Sequence, residues 1–212
     1  MQEHSFSTPR AARYFTLGSP EDAADVWFVC HGYGQLAARF LERFRPIEAK
    51  RRCIVAPEGL SRFYLTENAT ERRVGASWMT REDRLHEIDD YVRYLDGVYR
   101  YIAPSRTAKV TALGFSQAAA TVCRWAALGS SRIDRLIVWG GEVPPDLDLQ
   151  RLRVPSLTLV YGTRDQFFTS KIVAATEARL REHKVGYDLV SFDGAHEIDE
   201  PTLRRLAQNR AP

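Results

Sequence analysis

Short runs of apolar residues alternate along this chain with longer segments in which apolar residues recur at every third or fourth position. The short runs predict strands that are buried on both faces, and the longer segments predict amphipathic helices. Their alternation is typical of an α/β fold, with a mostly parallel central sheet and helices on both faces. The predicted buried strands are Asp25–Cys30, 52–56, 109–113, Arg135–Trp139, 156–161 and 187–192.

The longest helical pattern begins at Thr80 and continues to Pro104. Thr80 and Asp83 have the spacing of a capping box, which predicts that the helix starts there. An edge strand or hairpin arm is expected at 13–17. The other predicted helices are 36–44, Gln117–Leu128, 169–184 and a closing helix that starts at Pro201.

The segment 58–78 contains aromatic and charged residues without a clear period. A connection of this length in a compact domain is usually functional or disordered, and its aromatic content favours packing over a site. A lipase lid would instead be an amphipathic helix with a large apolar face. We therefore expect a fixed wall. Its charged residues include Arg62, Glu67, Glu71, Arg72 and Arg73.

Length and composition restrict the possible functions. A chain of 212 residues predicts a single domain over 1–212, and 44% hydrophobic with 27% charged residues is ordinary for a soluble protein. The net charge of +3 comes from dispersed residues, so we expect no nucleic-acid partner. Without a leader pattern or a long apolar stretch, we expect a cytoplasmic protein with no stable membrane association, as a monomer or homodimer. Cys30, Cys53 and Cys123 lie in apolar runs and predict buried free thiols, with no metal or cofactor.

The run Gly114-Phe115-Ser116-Gln117-Ala118 connects a predicted buried strand to a predicted helix. A sharp strand-to-helix turn needs small residues on both sides of a strained central residue, which Gly114 and Ala118 provide. The turn would lift the Ser116 hydroxyl above the sheet, and the backbone N–H of Gln117 would face negative charge on a bound acyl group. This pattern predicts a nucleophile elbow.

A second glycine-containing loop, His31-Gly32-Tyr33-Gly34, follows the earlier strand Asp25–Cys30. This pairing with the elbow is typical of α/β-hydrolases, where the two loops supply the oxyanion hole. We expect the backbone N–H of Tyr33 to act with that of Gln117. For His31 we expect a structural role, in which the imidazole holds the loop by hydrogen bonding.

Ser116, Asp165 and His196 each follow a predicted strand, so parallel strands bring them to one edge of the sheet. Their order, Ser then Asp then His, is the α/β-hydrolase order of nucleophile, acid and base. Glu142 follows the preceding strand and is an alternative acid. The remaining histidines, His4, His86 and His183, are less well placed, in the N-terminal tail or on helices.

The sequence resembles the phospholipase/carboxylesterase family of α/β-hydrolases, which includes acyl-protein thioesterases. The resemblance implies Ser116, Asp165 and His196 as a catalytic triad, with the Tyr33 and Gln117 amides as oxyanion hole. Ala118 replaces the usual glycine of the family, and Gln35 stands where the thioesterases commonly have aspartate. The matching pieces are His31-Gly32-Tyr33-Gly34, Ala56-Pro57, Ser77-Trp78, Gly114-Phe115-Ser116-Gln117, Gly162 with Asp165, and Gly194-Ala195-His196.

These features predict a serine carboxylesterase that acts on small-molecule esters with short to medium acyl chains. A lysophospholipase or an acyl-protein thioesterase is an alternative enzyme, and a non-catalytic binding module on the same fold is an alternative of another class. A dienelactone-type hydrolase fits less well, because its usual nucleophile is cysteine. The residues expected to shape the substrate pocket are Tyr64, Trp78, Phe115, Glu142 and Phe167.

Overall fold

The computed structural model describes residues 1–2, 4–65 and 73–208 of the chain. Within these residues, seven strands form a central sheet and two more form a separate hairpin. The strands are β1 (Tyr14–Leu17), β2 (Asp25–Cys30), β3 (Arg52–Pro57), β4 (Ser61–Tyr64), β5 (Val74–Ser77), β6 (Lys109–Phe115), β7 (Arg135–Trp139), β8 (Ser156–Gly162) and β9 (Asp188–Phe192).

The central sheet has the spatial order β1-β3-β2-β6-β7-β8-β9. All neighbouring pairs are parallel except β1 and β3, which are antiparallel. The edge strand expected at 13–17 is confirmed as β1. Because β6 lies at the centre, the elbow that follows it emerges in the middle of the sheet edge.

Five α-helices of the described residues cover the two faces of the sheet, and short 3₁₀ helices lie at Glu42–Ile47 and Leu149–Arg151. The expected α/β fold class, with helices on both faces, is therefore confirmed. The helices are α1 (Ala37–Leu41), α2 (Arg84–Ile102), α3 (Gln117–Leu128), α4 (Ser170–Glu182) and α5 (Glu200–Gln208).

The core has two layers, one on each side of the sheet. Side chains alternate along a strand, so Val26 and Phe28 of β2 join the layer of α2, α3 and α4, whereas Trp27 joins the layer of α1 and α5. Both layers are apolar. This two-sided burial explains why the strands read as uninterrupted apolar runs.

Helix α2 begins at Arg84, four residues later than the sequence predicts. The predicted capping box of Thr80 and Asp83 is not formed, so that prediction is wrong. Asp83 has left-handed backbone angles, with φ of 48°, and its side chain does not cap the helix. The Thr80 hydroxyl instead contacts the Glu82 carbonyl and the Glu87 carboxylate, at 3.2 and 3.1 Å. Glu87, seven residues after Thr80, takes the place of the expected partner Asp83.

The segment 58–78 contains the hairpin β4–β5, which the sequence pattern did not predict. The hairpin is bonded to the loop after β2: Gly34 N–H donates to the Ala76 carbonyl at 2.9 Å, and Ala76 N–H donates to the Gln35 carbonyl at 3.1 Å. The chain between Leu65 and Arg73, with Glu67, Glu71 and Arg72 of the predicted wall, lies outside the described residues.

No helix in the described ranges is both long and apolar enough to cross a membrane. The three cysteines are buried and free.

Candidate active site

Ser116 occupies the sharp turn between β6 and α3. Its backbone has φ of 56° and ψ of −117°, a conformation that L-residues other than glycine rarely adopt. The turn needs a glycine two positions earlier, because a Cβ on Gly114 would lie 2.1 Å from the Ala118 carbonyl oxygen. The Ser116 N–H donates to the Trp139 carbonyl at 2.9 Å, which ties the turn to β7. The local geometry is that of a nucleophile elbow.

His196 lies in the loop after β9 and joins Ser116 to Asp165. Its Nε2 is 2.9 Å from the Ser116 hydroxyl, and its Nδ1 is 2.7 Å from Oδ2 of Asp165. In the neutral ring, Nδ1–H donates to the carboxylate and Nε2 accepts from the hydroxyl. The three side chains therefore form one continuous hydrogen-bonded chain.

The Asp165 carboxylate is almost completely buried, with 1% of its side chain exposed. Its Oδ1 accepts from the N–H groups of Phe167 and Phe168 at 2.8 and 2.9 Å, while Oδ2 accepts from His196. Burial favours the protonated acid, but the hydrogen bonds from Phe168, His196 and Phe167 outweigh it and hold the pKa of Asp165 below its ordinary value. The group is thus an anion at neutral pH.

Glu142, the alternative acid, lies elsewhere. It is exposed, follows Gly140 and Gly141 after β7, and forms no hydrogen bond with His196 among the described residues. Glycine at 140 is needed for this arrangement, because its φ is +57° and a Cβ there would lie 3.2 Å from the imidazole. The carboxylate that the fold brings to His196 is Asp165.

The loop from Gly32 to Gln35 lies against the elbow, since a Cβ on Gly32 would be 3.2 Å from the Ser116 Cβ. Three of its four N–H groups have acceptors: Gly32 donates to Gln35 Oε1, Gly34 to the Ala76 carbonyl and Gln35 to the Gly32 carbonyl. The N–H of Tyr33 donates to no other described residue. The backbone N–H of Gln117 is likewise without an acceptor in the described chain, because it begins helix α3.

The imidazole of His31 holds this loop in place. Its Nε2 accepts from the Gly59 N–H at 3.0 Å, so Nδ1 carries the proton and donates to the Gly32 carbonyl at 2.8 Å. The ring is completely buried, and burial lowers the pKa of His31 below its ordinary value despite the opposing carbonyl contact. His31 is therefore a neutral structural histidine, as expected from the sequence.

Trp78 was expected in the substrate pocket, and this is wrong. Its side chain is turned into the core with 2% exposed, the indole N–H donates to the His31 carbonyl at 2.8 Å, and the ring lies 5.2 Å from the imidazole. A buried indole needs an acceptor, and the His31 carbonyl supplies one. Trp78 supports the loop that follows β2 from behind.

Of the other predicted pocket aromatics, two lie next to His196. Phe115 and Phe167 lie against the His196 ring, with centroid distances of 4.8 and 5.0 Å. Phe115 is buried, whereas Phe167 is 76% exposed and forms part of the rim. Tyr64 is exposed on the hairpin strand β4.

A cavity of about 410 Å³ opens beside Ser116 and Gln117. Glu142 is the predicted pocket residue that lines it. The remaining lining residues, which were not predicted from the sequence, come from the loops after β5 and β7 and from α3. These residues are Met79, Thr80, Arg81, Ala120, Arg124, Pro144 and Pro145.

The Gln117 side chain also has a role that the sequence did not reveal. Its Oε1 accepts from the Trp78 N–H at 3.1 Å, and its Nε2 donates to the Ser77 hydroxyl and the Met79 carbonyl at 3.0 and 2.9 Å. Gln117 thus bonds the elbow to the end of β5. An amide can satisfy all three contacts because it carries both donors and an acceptor.

In the described part of the chain, no group of three or more His, Cys, Asp or Glu side chains could hold a metal ion. The chemistry that Ser116, His196 and Asp165 can perform is nucleophilic attack by the hydroxyl, with the imidazole as base and the carboxylate orienting the imidazole.

No protein-family model matches the sequence, and the comparison with curated proteins found no match. Solved structures do match. Acyl-protein thioesterase 2 of Zea mays has a TM-score of 0.73 at 14% identity, covering 93% of this chain and 97% of that chain. A carboxylesterase from Mesorhizobium loti has a TM-score of 0.73 at 19% identity, covering 93% of each chain.

The carboxylesterase of Bacillus cereus has a TM-score of 0.67 at 12% identity, covering 93% of this chain and 92% of that chain. At such identities the likeness establishes the fold, which is the α/β-hydrolase fold.

Proposed function

We propose that this protein is a serine esterase that hydrolyses esters with short to medium acyl chains through an acyl-enzyme at Ser116. The observation that carries the proposal is the continuous chain of hydrogen bonds from the Ser116 hydroxyl through His196 to Asp165, with Ser116 on a strained turn. The proposal is further supported by the names of fold neighbours from maize, Mesorhizobium loti and Bacillus cereus, which are thioesterases and carboxylesterases.

In the first step, the Ser116 oxygen attacks the acyl carbon of the ester while Nε2 of His196 takes the hydroxyl proton. The carbonyl oxygen becomes negatively charged and accepts from the N–H groups of Tyr33 and Gln117. These two amides can serve because they donate to no acceptor elsewhere in the described residues. Asp165 stays ionised, stabilises the imidazolium and keeps the ring in its orientation.

In the second half of the reaction, His196 gives its proton to the departing alcohol and the acyl group remains on Ser116. A water molecule then attacks the acyl carbon as His196 takes its proton. The bond between the acyl carbon and Ser116 Oγ breaks, His196 returns the proton to Oγ, and the carboxylic acid leaves. No cofactor or metal takes part in these steps. The substrate is a small acyl ester.

Thioesters are a second candidate substrate class, because the maize neighbour is an acyl-protein thioesterase and the same acyl-enzyme would form. Two observations favour oxygen esters of small molecules. Gln35 stands where the thioesterases commonly have aspartate, and the cavity beside Ser116 is small, at about 410 Å³. A lysophospholipase is an alternative that a series of p-nitrophenyl esters from acetate to palmitate distinguishes.

The test is hydrolysis of p-nitrophenyl butyrate by the wild type and by Ser116→Ala. We expect Ser116→Ala to lower kcat/KM by at least about 10³-fold, because removal of a triad nucleophile leaves only the oxyanion hole and binding. Circular dichroism and the melting temperature should be unchanged. Ser19→Ala, in the turn between β1 and β2, is the control and should keep full activity. A Ser116→Ala variant that keeps more than about a tenth of the rate contradicts the proposal.

A further inference from the structure

Three arginines line a second pocket, which lies next to the oxyanion loop and apart from the cavity beside Ser116. The pocket has a volume of about 220 Å³ and its remaining wall is backbone and apolar side chains, including Gly34, Phe40 and Leu65. The arginines are Arg39 on α1, Arg43 on the 3₁₀ helix that follows, and Arg73 immediately before β5. None of the described lining residues is acidic.

These guanidinium groups differ from those of other arginines that pair with carboxylates, such as Arg13, Arg52 and Arg62. Arg45, two residues beyond Arg43, pairs with Glu42 and Glu48 at 2.5 and 3.2 Å. Within the residues that the structure describes, neither Arg39, Arg43 nor Arg73 forms an ion pair with a carboxylate. Among the described residues, positive charge is therefore concentrated at this pocket.

The sequence spacing makes this concentration unfavourable for the protein itself. Arg39 and Arg43 are four residues apart, and like charges at this spacing destabilise a helix. Arg73 approaches from a different element and adds to the repulsion. Such an arrangement becomes favourable when an anion binds, because guanidinium groups form charge-assisted hydrogen bonds with carboxylate and phosphate oxygens.

The position of the pocket relates it to the leaving group of the proposed reaction. Phe40, which lines the pocket, stacks on Phe115 at 6.0 Å, and Phe115 in turn lies 4.8 Å from the His196 ring. The pocket is thus on the His196 side of Ser116, and His196 must protonate the departing alcohol. Gly32, which lies against Ser116, and Gly34, which lines the pocket, belong to the same short loop.

We propose that Arg39, Arg43 and Arg73 form an anion subsite that binds a carboxylate or phosphate on the alcohol portion of the ester. The inference rests on the esterase function proposed above and adds the substrate class: esters of alcohols that carry an acidic group. The acyl portion then occupies the cavity beside Ser116. Binding of the anion orients the leaving oxygen toward Nε2 of His196.

The test compares three butyrate esters of unactivated alkyl alcohols, with release of butyrate followed by titration. The anionic substrates are 4-butyryloxybutanoate and 2-butyryloxyethyl phosphate, and the neutral one is 4-butyryloxybutanamide, in which an amide replaces the carboxylate. We expect kcat/KM to be about tenfold or more higher for at least one anionic ester, because hydrogen bonds to charged groups are strong. The advantage should shrink as sodium chloride is added.

Charge-removing variants assign the preference to the pocket. The triple variant Arg39→Gln, Arg43→Gln and Arg73→Gln should lose the preference while it keeps the wild-type rate with the neutral amide, which also shows that it is folded. Arg73→Lys should keep part of the preference, because the lysine retains the positive charge but lacks the planar guanidinium group that can form two parallel hydrogen bonds. Arg100→Gln, at the exposed end of α2, removes the same charge elsewhere and should retain the preference fully.

Two results overturn the anion subsite while the esterase function stands: equal rates with anionic and neutral esters, or a preference that persists in the triple variant. Failure to hydrolyse any of the three esters, together with inactive p-nitrophenyl butyrate, contradicts the esterase function itself, and the subsite falls with it.

Discussion

Ser116, His196 and Asp165 could be located from the sequence because each directly follows a buried strand, and parallel strands end at one edge of a sheet. The sequence could not choose between Asp165 and Glu142, since both follow strands of that sheet. The choice is made by the loop after β8, where the N–H groups of Phe167 and Phe168 fix the Asp165 carboxylate beneath the imidazole. The conformation of such a loop cannot be predicted from the periodicity of apolar residues.

We predict losses of kcat of very different size for two isosteric changes, one at each candidate acid. Asp165→Asn should lower kcat for p-nitrophenyl butyrate by about 10³- to 10⁴-fold, because an amide at this place favours the wrong tautomer of His196. Glu142→Gln, with no contact to the imidazole, should change kcat only slightly. Steady-state kinetics of the two purified variants decide, and a larger loss in Glu142→Gln would move the acid to the loop after β7.

Strands and helices with a strong apolar period were predictable, and β2, β7 and α3 have the bounds that the sequence indicates. The hairpin β4–β5 escaped prediction for a physical reason. Its strands are only four residues long, and β4 alternates between half-buried and exposed positions without an apolar run. The hairpin is held by backbone hydrogen bonds between Ala76 and the loop at Gly34–Gln35. Local sequence propensity does not report such long-range contacts.

Trp78 was misassigned for a similar reason. Aromatic content predicts that a segment packs against something, but it does not tell which face the ring takes. The acceptor for its indole N–H, the His31 carbonyl, belongs to an element 47 residues away. Such long-range contacts decide side-chain orientation and cannot be derived from spacing.

Two glycine-to-alanine changes should have opposite effects on the free energy of unfolding. Gly97 lies inside α2 with nothing within 4 Å of an added Cβ, so Gly97→Ala should stabilise the protein by about 0.5–1 kcal/mol. At Gly114 the Cβ would lie 2.1 Å from the Ala118 carbonyl oxygen. Gly114→Ala should therefore destabilise the protein by about 3 kcal/mol or more.

Urea denaturation of both variants beside the wild type measures these differences. A Gly114→Ala protein as stable as the wild type would show that β6 and α3 do not approach as closely as the elbow requires.

For the molecule as a whole, the expectation of a fixed wall over the site becomes a proposal about substrate size. The described part of segment 58–78 is a hairpin that is hydrogen-bonded to the oxyanion loop, and it contains no amphipathic helix of the kind that opens at a lipid interface. We propose that the acyl chain occupies the cavity of about 410 Å³ beside Ser116. Each added methylene helps, by about 0.8 kcal/mol, only while space lasts.

We therefore predict that kcat/KM for p-nitrophenyl esters, measured from acetate to palmitate, reaches its maximum at a short or medium chain. Triglyceride emulsions assayed in parallel should be poor substrates, without a jump in rate when micelles form. A maximum at palmitate, or a sharp rise above the micelle threshold, would contradict the fixed wall and favour a lipase or a long-chain lysophospholipase.

The central claim is that the elbow serine is an activated nucleophile, and covalent labelling tests it most directly. The wild type is treated with a fluorophosphonate probe, digested, and the modified peptide is sequenced by mass spectrometry. The account predicts a single adduct on Ser116, formed much more slowly in His196→Ala and absent in Ser116→Ala. An adduct on another residue would contradict this claim. So would a wild-type protein that hydrolyses esters although the probe does not label its Ser116.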